Sequence, residues 1–363
     1  MTELVPEGII VLDNKKFWRE PKVPITLKDI AEELNVSVNT VSRALRNMPD
    51  IGQETTLLVK ETAMRLGYRK NLAASSLKTA KSMMLGIIVP NICNPVYSYI
   101  YKGIEKVCNE TGYTLMLGNS NSESEQECRV LENMLDHGVD GIFLVPSMKN
   151  HQVLERLQEA SIPYVLLQRR FPGIDANIVQ SSDYEGGYIA AKHLYGVGHR
   201  SFVYISAPMY ISSARERYEG FLAYLKEQGL TEGSVKVFES DSTRNGGYEA
   251  AKRWIREQAG AGRLTATAIF CFSDYMAYGV YAAIGETDLK VPEDISVIGY
   301  DNNEYSEMIY PPLTTVDMLP FEIGLRSAEK MLALLSTKEE AGEGPETILF
   351  PKLIVRESTK ELR

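Results

Sequence analysis

The chain has 363 residues, of which 44% are hydrophobic and 24% charged, and its formal net charge is −9. This length exceeds what one ordinary hydrophobic core accommodates, so two or three domains are expected, and the composition excludes a disordered protein. Apolar runs stay shorter than the roughly 18 residues of a membrane helix, and residues 1–24 lack the pattern of a secretory leader, so we expect a cytoplasmic protein without membrane contact. The four cysteines are widely spaced, which argues against a metal site and against a disulfide framework.

The N-terminal part of the chain differs in charge from the rest. Residues 1–24 show no clear period, and we interpret them as an extension. Residues 25–67 hold three short amphipathic helical patterns, and small polar residues over 68–81 indicate a linker. Between Lys22 and Lys81, ten Lys or Arg residues stand against six Asp or Glu residues, while the remainder is acidic. This division fits a protein in which only the N-terminal part meets nucleic-acid phosphates.

From residue 85 onwards, short apolar runs alternate with longer helical patterns. Strands are predicted at 85–89, 113–117, 141–145, 163–167, 202–206, 235–239, 267–272 and 295–300, and helices near 95–111, 123–137, 150–160, 183–195, 212–228, 246–258 and 274–286. Continuous apolar strands separated by helices predict parallel sheets covered on both faces. Two successive sets of such units indicate two doubly wound lobes, with a ligand expected between them at the carboxyl ends of the strands.

Residues 26–45 predict a helix-turn-helix. Thr26 is a suitable N-cap with Asp29 in the capping-box position, Asn35 tolerates the left-handed backbone of a tight turn, and Ser37 is a suitable N-cap for the second helix. The second helix of such a unit lies in the major groove of DNA. The residues predicted to contact DNA from this unit are Thr26, Ser37, Val38, Asn39, Thr40, Ser42 and Arg43.

The side-chain chemistry of the second helix suits base readout. Asn39 can pair with adenine, Val38 can meet a thymine methyl, and Arg43 can reach guanine or a phosphate. The alternative is a helical hairpin with a solvated polar face, which would account for the apolar spacing alone.

Several longer motifs occur in a fixed order along the chain. They are TLKDIAEELNVSVNTVSRAL, GQETTLLVKETAMRLGY, GIIVPNICNPVY, ARERYEGF, FSDYMAYGV, VPEDISVIGYDN, PPLTTV and VRES. In these motifs, over roughly 25–358, the chain resembles the LacI/GalR family of bacterial regulators. The resemblance implies an α/β fold, with an N-terminal three-helix helix-turn-helix head and a two-lobed, doubly wound, periplasmic-binding-protein-like body. It also implies a homodimeric transcriptional repressor that binds a pseudo-palindromic operator in double-stranded DNA.

The resemblance also implies a division of the chain. Residues 25–70 form the DNA-binding domain, 71–82 a hinge helix or linker, and 83–363 an effector-binding domain. The N-terminal lobe is expected at about 83–181 and 314–340, and the C-terminal lobe at about 182–313 and 341–363. The hinge residues implied to contact DNA are Asn71, Ala74, Leu77 and Lys78, with Leu77 entering the minor groove. Lys70 and Ser75 replace the proline and arginine that are usual in the family, so hinge contacts are expected to differ.

A small-molecule effector is implied between the lobes. The residues that the resemblance and the strand ends assign to it are Asn94, Tyr97, Ser120, Ser147, Arg169, Arg217, Ser273, Asp274 and Asp301. Carboxylates accept hydrogen bonds from sugar hydroxyls and arginine donates to them, so Arg217 with Asp301 suits a sugar or a sugar derivative. Ser242 stands roughly where purine- and sugar-binding relatives often carry a stacking aromatic, which makes a nucleobase less favoured.

Other classes of function were weighed against this interpretation. An enzyme is disfavoured because no nucleotide-binding or nucleophile motif follows residue 85, and no cofactor is expected. A periplasmic-type sugar-binding protein would explain the body but not the helix-turn-helix. A regulator whose body senses a protein partner, such as phosphorylated HPr as co-effector, remains an alternative. Because no leucine-heptad tail follows VREST, we expect a dimer rather than a tetramer.

Overall fold

The fold is that of a computed structural model, which describes residues 25–68, 81–261, 264–336 and 346–362. Backbone contacts divide the chain into two units, residues 1–80 and residues 81–363. We call the described part of the first unit the head and that of the second unit the body. The predicted extension 1–24 lies outside the described residues. So do the predicted hinge contacts Asn71, Ala74, Leu77 and Lys78, and the two positions at which the hinge differs from the family, Lys70 and Ser75.

Three helices form the head: α1 (Leu27–Glu33), α2 (Val38–Leu45) and α3 (Gln53–Leu66). The predicted cap of α1 is present, since the Thr26 amide and hydroxyl donate to Asp29 at 2.6 and 2.8 Å. Asn35 adopts φ 51°, the left-handed backbone that the tight turn needs. Ser37 caps α2 by accepting a hydrogen bond from the Thr40 amide at 3.0 Å.

The small core of the head is formed by one apolar face of each helix. Its buried residues are Ile30, Ala31, Val41, Ala44, Val59 and Ala63. The three alanines, Ala31, Ala44 and Ala63, are small enough for the helices to pack closely. The helix-turn-helix geometry predicted for residues 26–45 is thus confirmed.

The first sheet of the body is parallel throughout. Its strands are β1 (Met84–Val89), β2 (Thr114–Asn119), β3 (Gly141–Leu144), β4 (Tyr164–Leu167), β5 (Ile178–Ser181) and β11 (Thr347–Leu349), in the order β11–β5–β4–β3–β1–β2. Helices α4 (Val96–Thr111) and α11 (Pro320–Ser336) pack on one face, and α5 (Ser124–Asp136) and α6 (Gln152–Glu159) pack on the other. Alternate strand residues therefore enter two separate cores, as a doubly wound lobe requires.

The second sheet repeats this plan with one antiparallel edge. Its strands are β6 (Phe202–Ser206), β7 (Val235–Glu239), β8 (Ala268–Cys271), β9 (Ser296–Tyr300), β10 (Thr314–Asp317) and β12 (Lys352–Ile354), in the order β12–β10–β9–β8–β6–β7. Only the pairing of β12 with β10 is antiparallel within this sheet. Helices α7 (Asp183–Gly196) and α8 (Ser212–Glu227) cover one face, and α9 (Arg244–Ala261) and α10 (Asp274–Ile284) cover the other. In the described ranges, no helix combines the length and apolarity that crossing a bilayer requires.

The lobe boundaries near the C-terminus differ from those predicted. The segment 314–340 was expected in the N-terminal lobe, but β10 pairs with β9 in the second sheet, and the chain crosses between lobes only after Asp317. The segment 341–363 was expected in the C-terminal lobe, but β11 pairs with β5 in the first sheet before β12 returns to the second. These strands are three or four residues long. Because such short strands carry little sequence pattern, their hydrogen bonds to strands far away in the chain determine which sheet they join.

Three helix pairs in the body cross at unusually close range, and each crossing has a glycine on both helices. The pairs are Gly103 with Gly324 between α4 and α11, Gly187 with Gly220 between α7 and α8, and Gly247 with Gly279 between α9 and α10. A Cβ on any of the six would lie 1.8–2.2 Å from a backbone oxygen of the partner helix, whereas real Cβ contacts essentially never fall below 3.0 Å. Backbone therefore rests directly on backbone at all three crossings.

Candidate functional site

The outer face of α2 carries the residues predicted to read DNA. Val38 is 44% exposed and Asn39 is exposed, whereas Thr40 and Ser42 are half-buried. The Thr40 and Ser37 hydroxyls hydrogen-bond each other at 2.8 Å beside the N-terminus of the helix. A surface valine and asparagine at the start of this helix are available to base edges, and the two hydroxyls lie where phosphates are usually met.

Arg43 also lies on α2, and it is held by a residue that the sequence analysis did not single out. Its Nε donates to one carboxylate oxygen of Asp50 at 2.8 Å, and its Nη2 lies 2.6 Å from the other. The pairing lowers the pKa of Asp50, chiefly through the hydrogen bond from Arg43. Arg43 is thus fixed as one half of a two-point ion pair at the surface of the head.

In the body, Arg217 on α8 forms the centre of the predicted effector site. It is 4% exposed, its Nε donates to Asp183 Oδ1 at 2.7 Å, and its Nη1 donates to the carbonyl of Phe272. The guanidinium carbon lies 3.5 Å from the centre of the Tyr300 ring. A buried cation is held here by a carboxylate, a carbonyl and an aromatic face, which are the partners that such a charge requires.

Residues from both lobes meet around this arginine. Burial raises the pKa of Tyr97 on α4, while Arg169 and Arg217 lower it and Asp301 raises it. The four groups therefore lie within electrostatic range of one another. Arg169 follows β4 and donates to the Pro146 carbonyl at 2.9 Å, and Asp301 directly follows β9. The site therefore lies at the carboxyl ends of strands from both sheets, where doubly wound folds bind their ligands.

The same region contains buried polar atoms that have no hydrogen-bond partner among the described residues. They are both amide atoms of Gln168, Oδ2 of Asp183, the hydroxyl of Tyr300 and Oδ2 of Asp301. The Asp183 carboxylate and the Tyr300 hydroxyl lie close enough to shift each other's pKa, but their geometry is not that of a regular hydrogen bond. Since the large majority of buried side-chain polar atoms in proteins are paired, such a concentration marks a place where hydrogen bonds to a ligand can still form.

The backbone around these atoms is unusual as well. Gln168 has φ 62° and Asp301 has φ 114°, values that residues other than glycine rarely adopt. Burial raises the pKa of Asp301 well above the usual range of an aspartate, and nearby Asp274 and Asp183 add to the rise while Arg217 opposes it. Residues in rare backbone conformations cluster at binding sites, where surrounding structure holds them in place.

Asp274, which we predicted to bind the effector, has a different place in the structure. Its Oδ2 accepts from the Asn303 amide at 2.9 Å and the Ser306 hydroxyl at 2.7 Å, and its Oδ1 accepts from the Thr315 hydroxyl at 2.6 Å. Burial raises the pKa of Asp274 to about 6, against these three hydrogen bonds. Its carboxylate thus anchors the loop that carries Asp301, because both of its oxygens already accept hydrogen bonds from the protein.

The remaining predicted ligands are buried at strand ends and helix starts, and each has a partner within the protein. The Ser147 amide and hydroxyl donate to the buried Glu127, and Ser273 caps α10 by accepting from the Met276 amide. Asn94 accepts from the Val96 amide, and the Ser120 hydroxyl donates to the Val89 carbonyl. These four side chains shape the loops at the site, so Tyr97, Arg169, Arg217 and Asp301 are the predicted residues that meet at its centre.

Three residues at the centre were missed by the sequence analysis, namely Asp183, Phe272 and Tyr300. Asp183 begins α7 and the other two end or follow buried strands, so each has the strand-end position used to select candidates. Their contact with Arg217 depends on how α7, α8 and the second sheet pack, which no local pattern reports. Within the described ranges, no cluster of three or more His, Cys, Asp or Glu side chains is suited to hold a metal ion.

Comparison with known proteins covers both units. Residues 26–71 match the family described as bacterial regulatory proteins, lacI family, and residues 191–359 match the periplasmic binding protein-like domain. The HTH-type transcriptional repressor PurR of Pasteurella multocida is 32% identical over 336 residues, which cover 92% of this chain and 98% of that protein.

Solved structures agree with these matches. The lac repressor dimer bound to operator and the anti-inducer ONPF is 26% identical with a TM-score of 0.80, over 93% of this chain and 100% of that one. A LacI family transcriptional regulator of Enterococcus faecium with bound ribose is 29% identical with a TM-score of 0.67, over 77% of this chain and 100% of that one. The lac repressor match spans most of the head as well as the body, whereas the ribose-bound match has about the length of the body alone.

Proposed function

The chain belongs to the LacI family of DNA-binding transcriptional repressors, and from this premise we propose that its operator affinity is controlled by an uncharged polyhydroxylated effector, a sugar or a sugar derivative, bound between the two lobes. The operator is a pseudo-palindrome, and a homodimer binds it through two heads. The α2 residues Val38, Asn39 and Arg43 read bases in each half-site.

The observation that carries the proposed effector class is the set of unpartnered buried polar atoms around Arg217. Carboxylate oxygens of Asp183 and Asp301 accept hydrogen bonds, the Tyr300 hydroxyl does both, and the Gln168 amide offers a donor and an acceptor. A ligand that completes these bonds needs several hydroxyls close together. A buried polar group without a partner costs about 1–3 kcal/mol, so such a ligand gains affinity from each bond that it completes.

The charges at the site favour a neutral ligand. Buried charges of both signs already line the site, with Arg169 and Arg217 on one side and Asp183 and Asp301 on the other. An ionic ligand would add a further charge to a region of low dielectric constant, which is costly. The Tyr97 ring supplies an apolar surface for a sugar ring. A ribose-bound relative has the same fold, which supports this ligand class.

A nucleobase is the competing small molecule. Planar bases are usually held by stacking on an aromatic ring, and Ser242 in the loop before α9 offers none at the position where relatives often carry one. Nucleobases therefore form the comparison set in the test below, together with phosphorylated HPr as a protein co-effector.

The decisive experiment is a thermal-shift screen of the full chain against ribose, other pentoses, hexoses and their derivatives, with adenine, guanine and hypoxanthine as the comparison set. A sugar that raises the melting temperature is then added to operator-binding assays, and light scattering reports the oligomeric state. Asp301→Asn should weaken binding of that sugar at least about tenfold, because one of the two acceptor oxygens is replaced by an NH2 donor. The matched control is Asp294→Asn, which removes an exposed carboxylate at the opposite end of β9 and should leave affinity unchanged.

Three results would contradict the proposal. An increase in melting temperature with nucleobases and not with sugars would show that the effector is a nucleobase. A response to phosphorylated HPr alone would make the body a sensor of a protein. Equal sugar affinity of Asp301→Asn and the wild type would remove the carboxylate from the site.

A further inference from the structure

The ion pair between Arg43 and Asp50 uses only one side of the guanidinium. Asp50 accepts from Nε at 2.8 Å and lies 2.6 Å from Nη2, so its two oxygens lie along the Nε–Nη2 side of the planar group. Arginine has five N–H donors in fixed directions. The end of the guanidinium, formed by Nη1 and the second hydrogen of Nη2, points away from Asp50 and still presents two parallel N–H groups.

The loop between α2 and α3 holds Asp50 in this position. The Met48 amide and the Arg46 amide both donate to the Arg43 carbonyl at 3.1 Å, so the chain folds back over the end of α2. The Ile51 amide donates to the Met48 carbonyl at 3.1 Å, and the Ile51 side chain packs against the core of the head. The neighbour of Asp50 is therefore anchored, and the carboxylate is presented beside Arg43 by a short and well-bonded turn.

A carboxylate on a DNA-reading surface needs an explanation, because it repels phosphates. The geometry supplies one. An arginine that is gripped along one side cannot rotate freely, and its end is aimed in one direction. Two parallel N–H donors match the O6 and N7 acceptors of guanine in the major groove.

We infer that Asp50 is a positioning residue for base readout: it orients Arg43 so that the free end of the guanidinium reads one guanine in each half-site. The inference rests on the proposed DNA contact by α2. It differs from a general basic contact, because Asp50 lowers the positive charge of the surface while sharpening its preference for one base.

A competing role for the pair predicts a different result. If Asp50 merely masks Arg43, removing the carboxylate frees the arginine for a phosphate. Binding then becomes tighter on every sequence, and the salt dependence of the affinity becomes steeper by about one counterion for each head. Base preferences stay as they are. The two roles therefore separate in sequence preference and in salt dependence.

The test uses the full chain and a library of random duplex DNA, from which bound sequences are selected and counted. Wild type should enrich a palindromic motif with a strongly preferred guanine in each half-site. Asp50→Asn and Arg43→Lys should both lower preference at that same base pair by about 5- to 100-fold, the range expected for a lost two-point contact, and leave the other positions unchanged. Asp50→Glu, which keeps a carboxylate at the same place in the loop, should retain more of the preference than Asp50→Asn.

The control is Glu61→Gln, which removes the same charge from an exposed position on α3 of the same head. It should alter overall affinity slightly and no base preference. If Asp50→Asn keeps every base preference of the wild type, or steepens the salt dependence without relaxing one position, the inference is wrong while the proposed function stands. If the wild type enriches no sequence at all, the proposed DNA contact by α2 fails first.

Discussion

Replacing Gly187 by alanine should disturb both the stability of the body and its candidate effector site. A Cβ at this position would lie 1.9 Å from the Arg217 carbonyl oxygen on α8. Since real contacts of this kind essentially never fall below 3.0 Å, the two helices must separate by at least 1.1 Å, the difference between these distances. The obstacle is backbone, so no side chain can turn aside to relieve it.

The size of the effect follows from this displacement. Forcing a methyl group into a close-packed contact costs about 1–3 kcal/mol. For a body of this size, about 2–4 °C in melting temperature corresponds to each kcal/mol, so a decrease of roughly 2–12 °C is expected. If the movement reaches the side chains in full, the bond from Arg217 Nε to Asp183 lengthens from 2.7 Å by the same 1.1 Å, beyond hydrogen-bonding range.

Thermal unfolding of the full chain, followed by circular dichroism, measures this prediction. Gly196→Ala is the matched control, because Gly196 is the last residue of the same helix and a Cβ there meets nothing within 4 Å. The control should be neutral or stabilising by up to about 1 kcal/mol, since alanine restricts the unfolded chain. The double variant of Gly187 and Gly220 should cost less than the sum of the single changes, because either one already separates the helices. Equal melting temperatures for Gly187→Ala and Gly196→Ala would refute the reasoning.

Three further outcomes are expected. Asn39→Ala should relax base preference at one position of each half-site by about 5- to 100-fold in selection from random DNA, whereas a uniform loss of affinity would indicate a phosphate contact. Arg217→Met should lower the free energy of unfolding by about 3–5 kcal/mol, because it leaves buried Asp183 without its cation, and adding Asp183→Asn should restore part of it in a double-mutant cycle by denaturant titration. Burial lowers the pKa of His199 from 6.5 to about 4, so the folded state holds this side chain neutral. The free energy of unfolding should therefore fall by up to about 3 kcal/mol as the pH falls from 6.5 to 4, and His199→Gln should lack this part of the pH dependence. A variant with the same pH profile as the wild type would contradict this prediction.

Local features of the fold could be predicted from the sequence. The cap formed by Thr26 and Asp29, the turn at Asn35 and the cap at Ser37 each involve neighbours within three residues, so their chemistry is visible in the chain. The central strands β3, β4, β6, β8 and β9 were predicted for the same reason, since each is buried along its whole length and carries a largely apolar run.

Short strands could not be predicted in this way. β5 reads Ile-Val-Gln-Ser and β10 reads Thr-Thr-Val-Asp, and polar residues in both are buried. Their hydrogen bonds to strands far away in the chain decide where they lie. The residues of β10 were therefore assigned to the wrong lobe.

The candidate site shows the same limit. Strand-end position was enough to select Asp301, and the family resemblance selected Arg217 on α8. Strand-end position also selected Asp274, whose oxygens are used by the protein itself. The pairings of Arg217 with Asp183 and of Arg43 with Asp50 depend on helix packing and on a loop conformation, and neither is written in residue type or spacing. The sequence can propose which residues gather at a strand edge, whereas packing decides which of them retain unused hydrogen-bonding capacity.

The glycine crossings limit how a protein of this shape can change over time. No residue is smaller than glycine, so the distance between α7 and α8 stands at its lower limit, and any substitution at Gly187 or Gly220 can only push the helices apart. Substitutions at these crossings can therefore disrupt the packing of the two helices, but they cannot change their spacing in small steps. Side chains in the cleft, such as Tyr97 and Gln168, carry no such restriction. Variants selected for a new effector should therefore accumulate substitutions at such side chains, while the spacing of α7 and α8 stays constant.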